Sequence, residues 1–326
     1  MNRFFNFSKA IVILTVLFTA ITAYANDKTT AVLQHGDTPQ AFYGADAFKE
    51  AMEAAQHGDR ISLSSGVFNQ TTINKAVKIQ GAGIYTQING ELHIAVEDAQ
   101  PGLVIEGIKF LNWVRIKSKL VNATLKRCTF DYFANESDAE NNLYVQCIFH
   151  GGQIEVNNYW EKKQIVAVVY SNCIFRGLDN IFPTDDVSLQ NCVFVFNANI
   201  GHINTGSFNN CIFFSGVPTA SAVKFTNIIA PSDSNDKPNK EAVQENIILL
   251  PQAEIKALFK DFENYELTDE AAAKYLGSDG KQLGAYGGAF PFTLTPAIPE
   301  ITSVKIDPLV KEDGKLSISI SAKTNN

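Results

Sequence analysis

Hydrophobic and polar residues alternate through the middle of the chain in a phrase that recurs at nearly constant spacing. Five copies have phenylalanine two positions after a cysteine, and the cysteines are Cys128, Cys147, Cys173, Cys192 and Cys211. They lie 19, 26, 19 and 19 residues apart. Weaker copies at 107–110, 227–230 and 246–249 make eight registers of one repeat. Self-similarity at a short fixed period predicts a solenoid.

Side-chain parity within the phrase predicts two short strands joined by a tight bend. Cysteine and phenylalanine share one face of a strand, and the β-branched residue between them faces the other way. A large residue stands three positions before each cysteine, an odd separation that a continuous strand cannot keep on one face. The chain must therefore bend before the cysteine. Asparagine, which tolerates a left-handed conformation, occupies that position at Asn172, Asn191 and Asn210.

A strand, a bend and a second strand that return to the same register describe one coil of a parallel β-helix. Stacked coils place equivalent residues about 4.8 Å apart, which predicts internal cysteine and phenylalanine ladders and an asparagine ladder at the bend. The signature of the leucine-rich solenoid is absent. A β-sandwich with short strands fits the spacing alone, but identical phrases in identical register are not expected of it. We expect an all-β fold, a single-stranded right-handed parallel β-helix with a helical N-terminal cap and a hairpin-like C-terminal tail.

The segments that flank the repeats predict a capped solenoid. Residues 44–56 have the apolar spacing of an amphipathic helix. Residues 254–260 favour a helix, and Thr268 is a candidate N-cap of another. Asp313-Gly314 is a hairpin signal between two alternating segments. We divide the chain into four parts: a signal peptide at 1–25, a cap segment at 26–60, the β-helix at 61–290, and a proline-containing linker with a β tail at 291–326.

The N-terminus has the pattern of a secretory signal peptide. Arg3 and Lys9 precede an apolar run at 10–20, which ends before the small-x-small motif Ala23-Tyr24-Ala25. The run is shorter than the roughly 20 residues that cross a bilayer. We therefore expect cleavage, no membrane insertion afterwards, and a location in the periplasm, on the cell surface or outside the cell.

Composition narrows the function classes. The formal net charge of the 326 residues is −7, and removal of the signal peptide leaves 25 basic and 34 acidic residues, a balance of −9. An acidic exported protein is a poor candidate for binding nucleic acid or anionic membranes. Five cysteines are an odd number and too few for a disulfide framework. A zinc site needs four ligands that converge on one point, whereas a ladder places the cysteines in a row. We therefore expect buried, reduced thiols.

The opening and closing motifs resemble those of known β-helix proteins. Residues 47–51, 58–63 and 66–68, followed by Ile79-Gln80-Gly81-Ala82-Gly83, look like the start of pectin-lyase-like right-handed β-helix proteins. The Asn-Cys-x-Phe coils and the closing residues 278–292 resemble exported β-helix proteins of unassigned function from Bacteroidetes. The resemblance implies the fold and brings no established activity.

Enzymes of this fold suggest catalytic candidates. The polygalacturonase pattern is matched in part by Thr184-Asp185-Asp186, Gly201-His202 and Arg115-Ile116-Lys117. The match is incomplete. The two separate aspartate motifs of that family are merged into one here, and the basic motif precedes the acidic motif instead of following it. General acid and general base roles also need separated carboxylates, whereas Asp185 and Asp186 are adjacent. The catalytic candidates are Asp185, Asp186, His202, Arg115 and Lys117.

A lyase would instead use a basic residue to abstract a proton and calcium to neutralise the substrate. Five basic residues are available: Arg115, Lys117, Lys119, Lys126 and Arg127. No three acidic residues at coil spacing face them, and the plainer interpretation is that they are solvated outward positions. We expect no metal site and no cofactor, with calcium implied only by the lyase alternative.

A seven-residue insertion between Cys147 and Cys173 is the one break in the repeat. It carries amides, charges and two aromatic residues of the kind that stack on sugar rings, and long loops on rigid scaffolds often carry function. Its alternative role is to fold back and bury both aromatics. The candidates for glycan binding are Asn158, Tyr159, Trp160 and Lys162 of this loop and Trp113, the other tryptophan.

A stripe of β-branched residues should face outward in successive coils: Ile148, Ile174, Val193, Ile212 and Ile229. An exposed apolar row of this length is unusual for a monomer. Either a terminal segment covers it or it is a surface for self-association. For the whole protein we expect binding of extracellular or cell-surface polysaccharide. The alternatives are a polysaccharide lyase or glycoside hydrolase, and a structural surface protein.

Overall fold

The computed structural model describes residues 29–96, 102–154, 163–177, 180–181, 187–195, 205–235, 238–295, 300–306 and 318–323. The predicted signal peptide lies outside these residues. In the described part the chain forms a parallel β-solenoid of about eight turns, which confirms the predicted fold class. Each turn contributes strands to sheets that run along the solenoid, and strands of successive turns pair in parallel.

The first sheet contains the strand that precedes the bend in each coil. Its members pair in order along the solenoid, so equivalent residues stack. They are β3 (Arg60–Leu63), the start of β6 (Lys78–Asn89), the start of β8 (Val104–Ile116), β10 (Thr124–Lys126), β13 (Leu143–Val145), β17 (Val168–Ser171), β20 (Val187–Gln190), β22 (Thr205–Asn209), the start of β24 (Ala222–Pro231) and the start of β25 (Val243–Leu250).

The second sheet follows the bend and carries the phenylalanines. Besides the later parts of β6, β8, β24 and β25, it contains β4 (Gly66–Asn69), the start of β11 (Thr129–Asn135), β14 (Ile148–Phe149), β18 (Ile174–Phe175), β21 (Val193–Phe194) and β23 (Ile212–Phe213). A smaller parallel sheet consists of β9 (Leu120–Val121), β12 (Ala139–Glu140) and β16 (Ile165–Val166).

The third sheet is formed by the end of each of the earlier coils. It contains the ends of β8 and β11 together with β5 (Thr72–Ile73), β7 (Leu92–Ile94), β15 (Gly152–Ile154) and β19 (Asn180–Ile181). In β7 and at the end of β8, every second residue points into the core and the residues between them point outward. The candidate site described below lies on this outward surface.

The predicted internal ladders are present. Phenylalanine rings of neighbouring coils stack with centroids 4.7 to 5.2 Å apart, in the series Phe110, Phe130, Phe149, Phe175, Phe194 and Phe213. All five cysteines are buried free thiols, as expected. Each Sγ lies 3.3 to 3.4 Å from the carbonyl oxygen two residues earlier. Burial raises the pKa of Cys128, Cys173 and Cys211.

The predicted left-handed bend is also confirmed. All eight registers have φ between 52° and 67° at this position: Gly107, Arg127, Gln146, Asn172, Asn191, Asn210, Asn227 and Asn246. Arginine and glutamine are unexpected there, because their side chains offer little local compensation. The Nε of Arg127 donates to Gln146 Oε1 at 3.0 Å, and its guanidinium also pairs with Glu106. These contacts hold the two unusual residues in the ladder.

The N-terminal end is capped by helix α1 (Ala47–Ala54), shorter than the predicted 44–56 because Ala55 is already extended. Phe48, Ala51 and Met52 of α1 are buried in the solenoid core. Strand β1 (Thr30–His35) pairs antiparallel with the first-coil strand β3 and with β2 (Thr38–Tyr43). This arrangement gives the edge strand of the first coil a partner.

The parallel coils end at Leu250, and residues 251–295 form a C-terminal strap on the outside of the second sheet. The strap includes α2 (Gln252–Ala257) and α3 (Asp269–Lys274). As predicted, Thr268 caps α3, and its Oγ1 accepts the Ala271 amide at 3.2 Å. The strap was assigned to the β-helix from sequence, but it contributes no parallel coil and packs against the solenoid wall.

The strap decides between the two alternatives for the β-branched stripe. The stripe residues Ile148, Ile174, Val193, Ile212 and Ile229 are buried. They pack against strap residues that include Ile255, Phe259, Leu283, Ala285 and Phe292. A terminal segment therefore covers the stripe, and we do not propose self-association through it.

Beyond the strap, β26 (Glu300–Ile306) pairs antiparallel with β27 (Ile318–Lys323), as the hairpin signal predicted. The residues that connect them lie outside the described part of the chain. Within the described residues, no helix has the length and apolar character needed to cross a bilayer.

Candidate functional site

The outward surface of the third sheet carries a row of polar and aromatic side chains. Strand pairing aligns Thr72 with His93, His93 with Arg115, and Arg115 with Ala134. Thr72, His93 and Arg115 alternate with inward-pointing neighbours and face outward, whereas Ala134 at the end of the row is buried. We call this surface the third-sheet strip and define it by Glu91, His93, Trp113, Arg115, Lys117, Tyr132 and Glu136.

Two aromatic side chains form the centre of the strip. Trp113 pairs with Tyr132 in the next coil, and their rings stack with centroids 5.1 Å apart and planes 24° apart. Tyr132 is 48% exposed, although it is a large aromatic residue. A Cβ at Gly151 would lie 3.3 Å from the Tyr132 ring, so glycine in the following coil leaves room for it. The strip thus presents an aromatic surface on a rigid sheet.

Arg115 links this aromatic pair to two carboxylates. Its guanidinium carbon lies 4.4 Å from the centre of the Trp113 ring, within the range of a cation–π contact. Its Nε pairs with Glu91 Oε1 at 3.0 Å, and a terminal nitrogen pairs with Glu136. These contacts connect three successive coils, because Glu91 precedes β7 and Glu136 follows β11.

Two further side chains extend the charged network. His93 Nε2 lies 2.8 Å from Glu91 Oε1, and the ammonium group of Lys117 pairs with Glu136. Two basic residues and one histidine therefore face two carboxylates. Each cation of the strip is within ion-pair distance of a carboxylate.

The network keeps both carboxylates ionised. The hydrogen bond from His93 lowers the pKa of Glu91, burial acts in the opposite direction, and the hydrogen bond from Arg115 adds to the lowering, so that the net direction is down. Partial burial raises the pKa of Glu136, but hydrogen bonds from Lys117 and Arg115 outweigh it, and the net direction is down. Burial disfavours the charged form of Arg115, yet its bonds to Glu136 and Glu91 raise its pKa.

The structure brings together three of the residues predicted from sequence. Trp113 and Arg115 alternate on the outward face of β8, and Lys117 directly follows the last residue of this strand. The expectation that the basic residues are simply solvated needs correction, since Arg115 is 26% exposed and paired on two sides. Arg127 is likewise buried in the bend ladder.

The other predicted site residues lie outside the described part of the chain. They are Asn158, Tyr159, Trp160 and Lys162 of the inserted loop and the catalytic candidates Asp185, Asp186 and His202. Of the polygalacturonase-like pattern, the structure therefore describes only the Arg115–Lys117 motif.

Sequence reasoning missed four members of the strip: Glu91, His93, Tyr132 and Glu136. A search for the coil spacing among residues other than cysteine is the signal that could have found them. Tyr132 follows Trp113 by 19 residues, the period of the repeat. Glu136 follows Arg115 by 21 residues and Glu91 precedes it by 24, because turns of unequal length alter the spacing.

Comparisons with protein-family models, with curated proteins and with solved structures found no match to this chain. The β-solenoid is therefore shown by its own geometry. Among the described residues, no group of three His, Cys, Asp or Glu side chains is placed to hold a metal ion.

Proposed function

We propose that this protein is exported and binds an extended polysaccharide along the third-sheet strip. The observation that carries the proposal is the Trp113–Tyr132 stack, a solvent-facing aromatic pair set among hydrogen-bonding side chains. Aromatic rings offer apolar area with little conformational freedom to lose. The C–H face of a sugar ring suits such a surface, while its hydroxyl groups need polar partners at the edges.

The surroundings of the aromatic pair supply those partners. The rings are flanked by hydrogen-bond acceptors on Glu91 and Glu136 and by hydrogen-bond donors on Arg115 and Lys117. Strand pairing and ion pairs already hold these side chains in place. A ligand would therefore lose less free energy to the ordering of the site than on a mobile loop.

The charges of the strip favour binding over cleavage. A glycosidase needs one protonated carboxyl group as general acid, whereas the lowered pKa values of Glu91 and Glu136 keep both ionised near neutral pH. A lyase needs an unprotonated base, whereas the raised pKa of Arg115 keeps it charged. The lyase or hydrolase and the structural surface protein remain the competing hypotheses.

The inserted loop is a second proposed contact. Tyr159 and Trp160 have the residue types that stack on sugars, and their loop follows the coil that contains Gly151. We propose that they extend the binding surface beyond Tyr132. Replacement Trp160→Ala should weaken binding, and unchanged binding would remove the loop from the site.

A glycan array with the mature protein tests the proposal. We expect binding to at least one class of extended polysaccharide, with no new reducing ends and no unsaturated products when that polysaccharide is incubated with the protein. Product formation would favour the lyase or hydrolase. The absence of binding to every polysaccharide would contradict the proposal and favour a structural role.

A further inference from the structure

A cleft of about 460 Å³ lies at the N-terminal end of the strip. Helix α1 forms one wall, the segment around β5 forms another, and Glu91 and His93 of the strip complete the lining. Its volume is in the range of pockets that hold small ligands. The cleft and the aromatic pair are joined directly, because Glu91 contacts Arg115, which lies over Trp113.

The cleft lining is rich in uncharged hydrogen-bonding groups. Four consecutive or nearly consecutive residues contribute amides and hydroxyls: Gln70, Thr71, Thr72 and Asn74. Their side chains take part in none of the hydrogen bonds found within the described part of the protein. They are therefore available to a ligand with several hydroxyl groups, for which amides and hydroxyls serve as both donors and acceptors.

The cleft lining has one lysine, Lys49, against two carboxylates, Glu53 and Glu91, besides His93. Lys49 and Glu53 stand four residues apart on α1, a spacing that makes opposite charges neighbours on a helix. His93 lies beside Glu91 at 2.8 Å. The two basic groups of the strip beyond the cleft are likewise paired with carboxylates. An anionic ligand would have to break the pairs that His93, Arg115 and Lys117 form with carboxylates, so the surface suits an uncharged one.

Helix α1 closes the strip on this side. The row of outward residues begins at Thr72 in the first coil, and α1 packs against β5 there. The Nζ of Lys75 donates to the carbonyl oxygens of Met52 and Glu53, both at 2.9 Å, and ties the end of the helix to the coil. A polymer that follows the strip toward the N-terminus therefore meets a wall.

From these observations we infer that the cleft binds the terminal sugar of an uncharged polysaccharide. This inference rests on the proposed function, and it adds the class of glycan and the position of its end. The chain end occupies the cleft beside Gln70 and Asn74, and the following sugars lie over Arg115 and the aromatic pair. The ligand is recognised by its hydroxyl groups and its end, not by carboxylates.

Calorimetric titration with linear oligosaccharides tests the inference. The probes are cellohexaose, xylohexaose and mannohexaose as uncharged chains and hexagalacturonate as the acidic chain. The uncharged chain that binds is then offered with a bulky tag on its reducing end or a blocking group on its non-reducing end. We expect uncharged chains to bind more tightly than hexagalacturonate, and one of the two end modifications to weaken binding by at least about tenfold.

Variants separate the cleft from the rest of the strip. Gln70→Ala combined with Asn74→Ala removes two unpaired amides and should weaken binding about fivefold or more. Gln190→Ala combined with Gln244→Ala is the matched control, because both glutamines are exposed on the first sheet. The control should bind like the wild-type protein.

The outcomes distinguish the inference from the proposed function. If Tyr132→Ala weakens binding but the cleft variant does not, or if both end-modified chains bind normally, the inference is wrong and binding along the strip stands. Preference for hexagalacturonate also overturns the inference alone. Binding of no glycan, in the titrations and on the array, overturns both.

Discussion

The rings of Trp113 and Tyr132 stack with centroids 5.1 Å apart, although 19 residues separate them in the chain. One turn of the solenoid lies between them, so a spacing of one coil becomes a contact along the solenoid. The same geometry stacks the buried phenylalanines and aligns the bend residues. The same repeat therefore builds both the buried core and the third-sheet strip. Substitution of residues that stack in neighbouring coils tests each of them.

The phenylalanine ladder should contribute strongly to stability. Phe175 is fully buried between Phe149 and Phe194, with centroids 5.1 and 4.8 Å away. Phe175→Ala should lower the free energy of unfolding by about 3–5 kcal/mol through lost contacts and a cavity. Phe290 is 61% exposed, and Phe290→Ala should change it by less than about 0.5 kcal/mol. Guanidinium unfolding measures both, and equal effects would contradict the ladder.

The bend ladder should also hold the C-terminal strap. The Asn172 Nδ2 donates to the carbonyl oxygens of Ala285 and Gly287, both at 2.8 Å and buried. Asn172→Gly keeps the left-handed bend but removes these bonds, and should cost about 1–3 kcal/mol of unfolding free energy.

Asn246 supplies the control for this prediction. It has the same bend, with φ of 54°, but it is exposed, and its side-chain amide donates a hydrogen bond only to Asn227 among the described residues. Asn246→Gly should cost about 0.5 kcal/mol or less. Limited proteolysis should cut the strap sooner in Asn172→Gly than in Asn246→Gly. The same cleavage rate in both would show that Asn172 does not anchor the strap.

The strip should contribute to stability in a pH-dependent way. The lowered pKa of Glu136 means that its contribution is complete above the ordinary glutamate pKa of 4.5 and is lost as the pH falls through the folded-state value. Glu136→Gln should therefore be less stable than wild type near neutral pH, and the difference should shrink below about pH 4.5.

Chemical denaturation between pH 3 and pH 7 measures this difference. Glu241→Gln is a suitable control, because the Glu241 carboxylate is exposed and forms no ion pair within the described residues. Its stability should follow wild type at every pH. A Glu136→Gln deficit that is independent of pH would contradict the ionic role of Glu136.

The cysteine ladder should be chemically silent in the native protein. All five sulfur atoms lie in the core, where a reagent cannot reach them while the protein stays folded. Burial also raises the pKa of Cys128, Cys173 and Cys211, which lowers their fraction of reactive thiolate. Iodoacetamide should give no adducts in buffer and five adducts in guanidinium, as counted by mass spectrometry. A native thiol that reacts within minutes would contradict the buried ladder.

Much of the fold could be predicted from sequence because it repeats. The Cys-x-Phe parity predicted which side chains face the core, and the asparagines predicted the bend at Asn172, Asn191 and Asn210. The same bend at Arg127 and Gln146 could not be predicted from residue type. Strand pairing on both sides and their mutual hydrogen bond impose it there.

The strap and most of the site were beyond the reach of sequence reasoning. A segment outside the repeat, such as 251–295, carries no periodicity that says which wall it covers. The strip depends on residues from three coils, and loops of unequal length shift Glu91 and Glu136 out of a constant period. Arg115 and Lys117 could be predicted because they belong to one short motif, and Trp113 because it is one of only two tryptophans and stands near Arg115.

Calorimetric titration of Tyr132→Ala with the strongest ligand from the glycan array tests the central claim most directly. Tyr85→Ala is the matched control, since Tyr85 is 68% exposed and lies outside the strip. With folding of both variants verified by circular dichroism, we predict that Tyr132→Ala raises the Kd by about tenfold, or about 1.4 kcal/mol, and that Tyr85→Ala leaves it unchanged. A Kd for Tyr132→Ala equal to that of the wild-type protein would contradict glycan binding on the third-sheet strip.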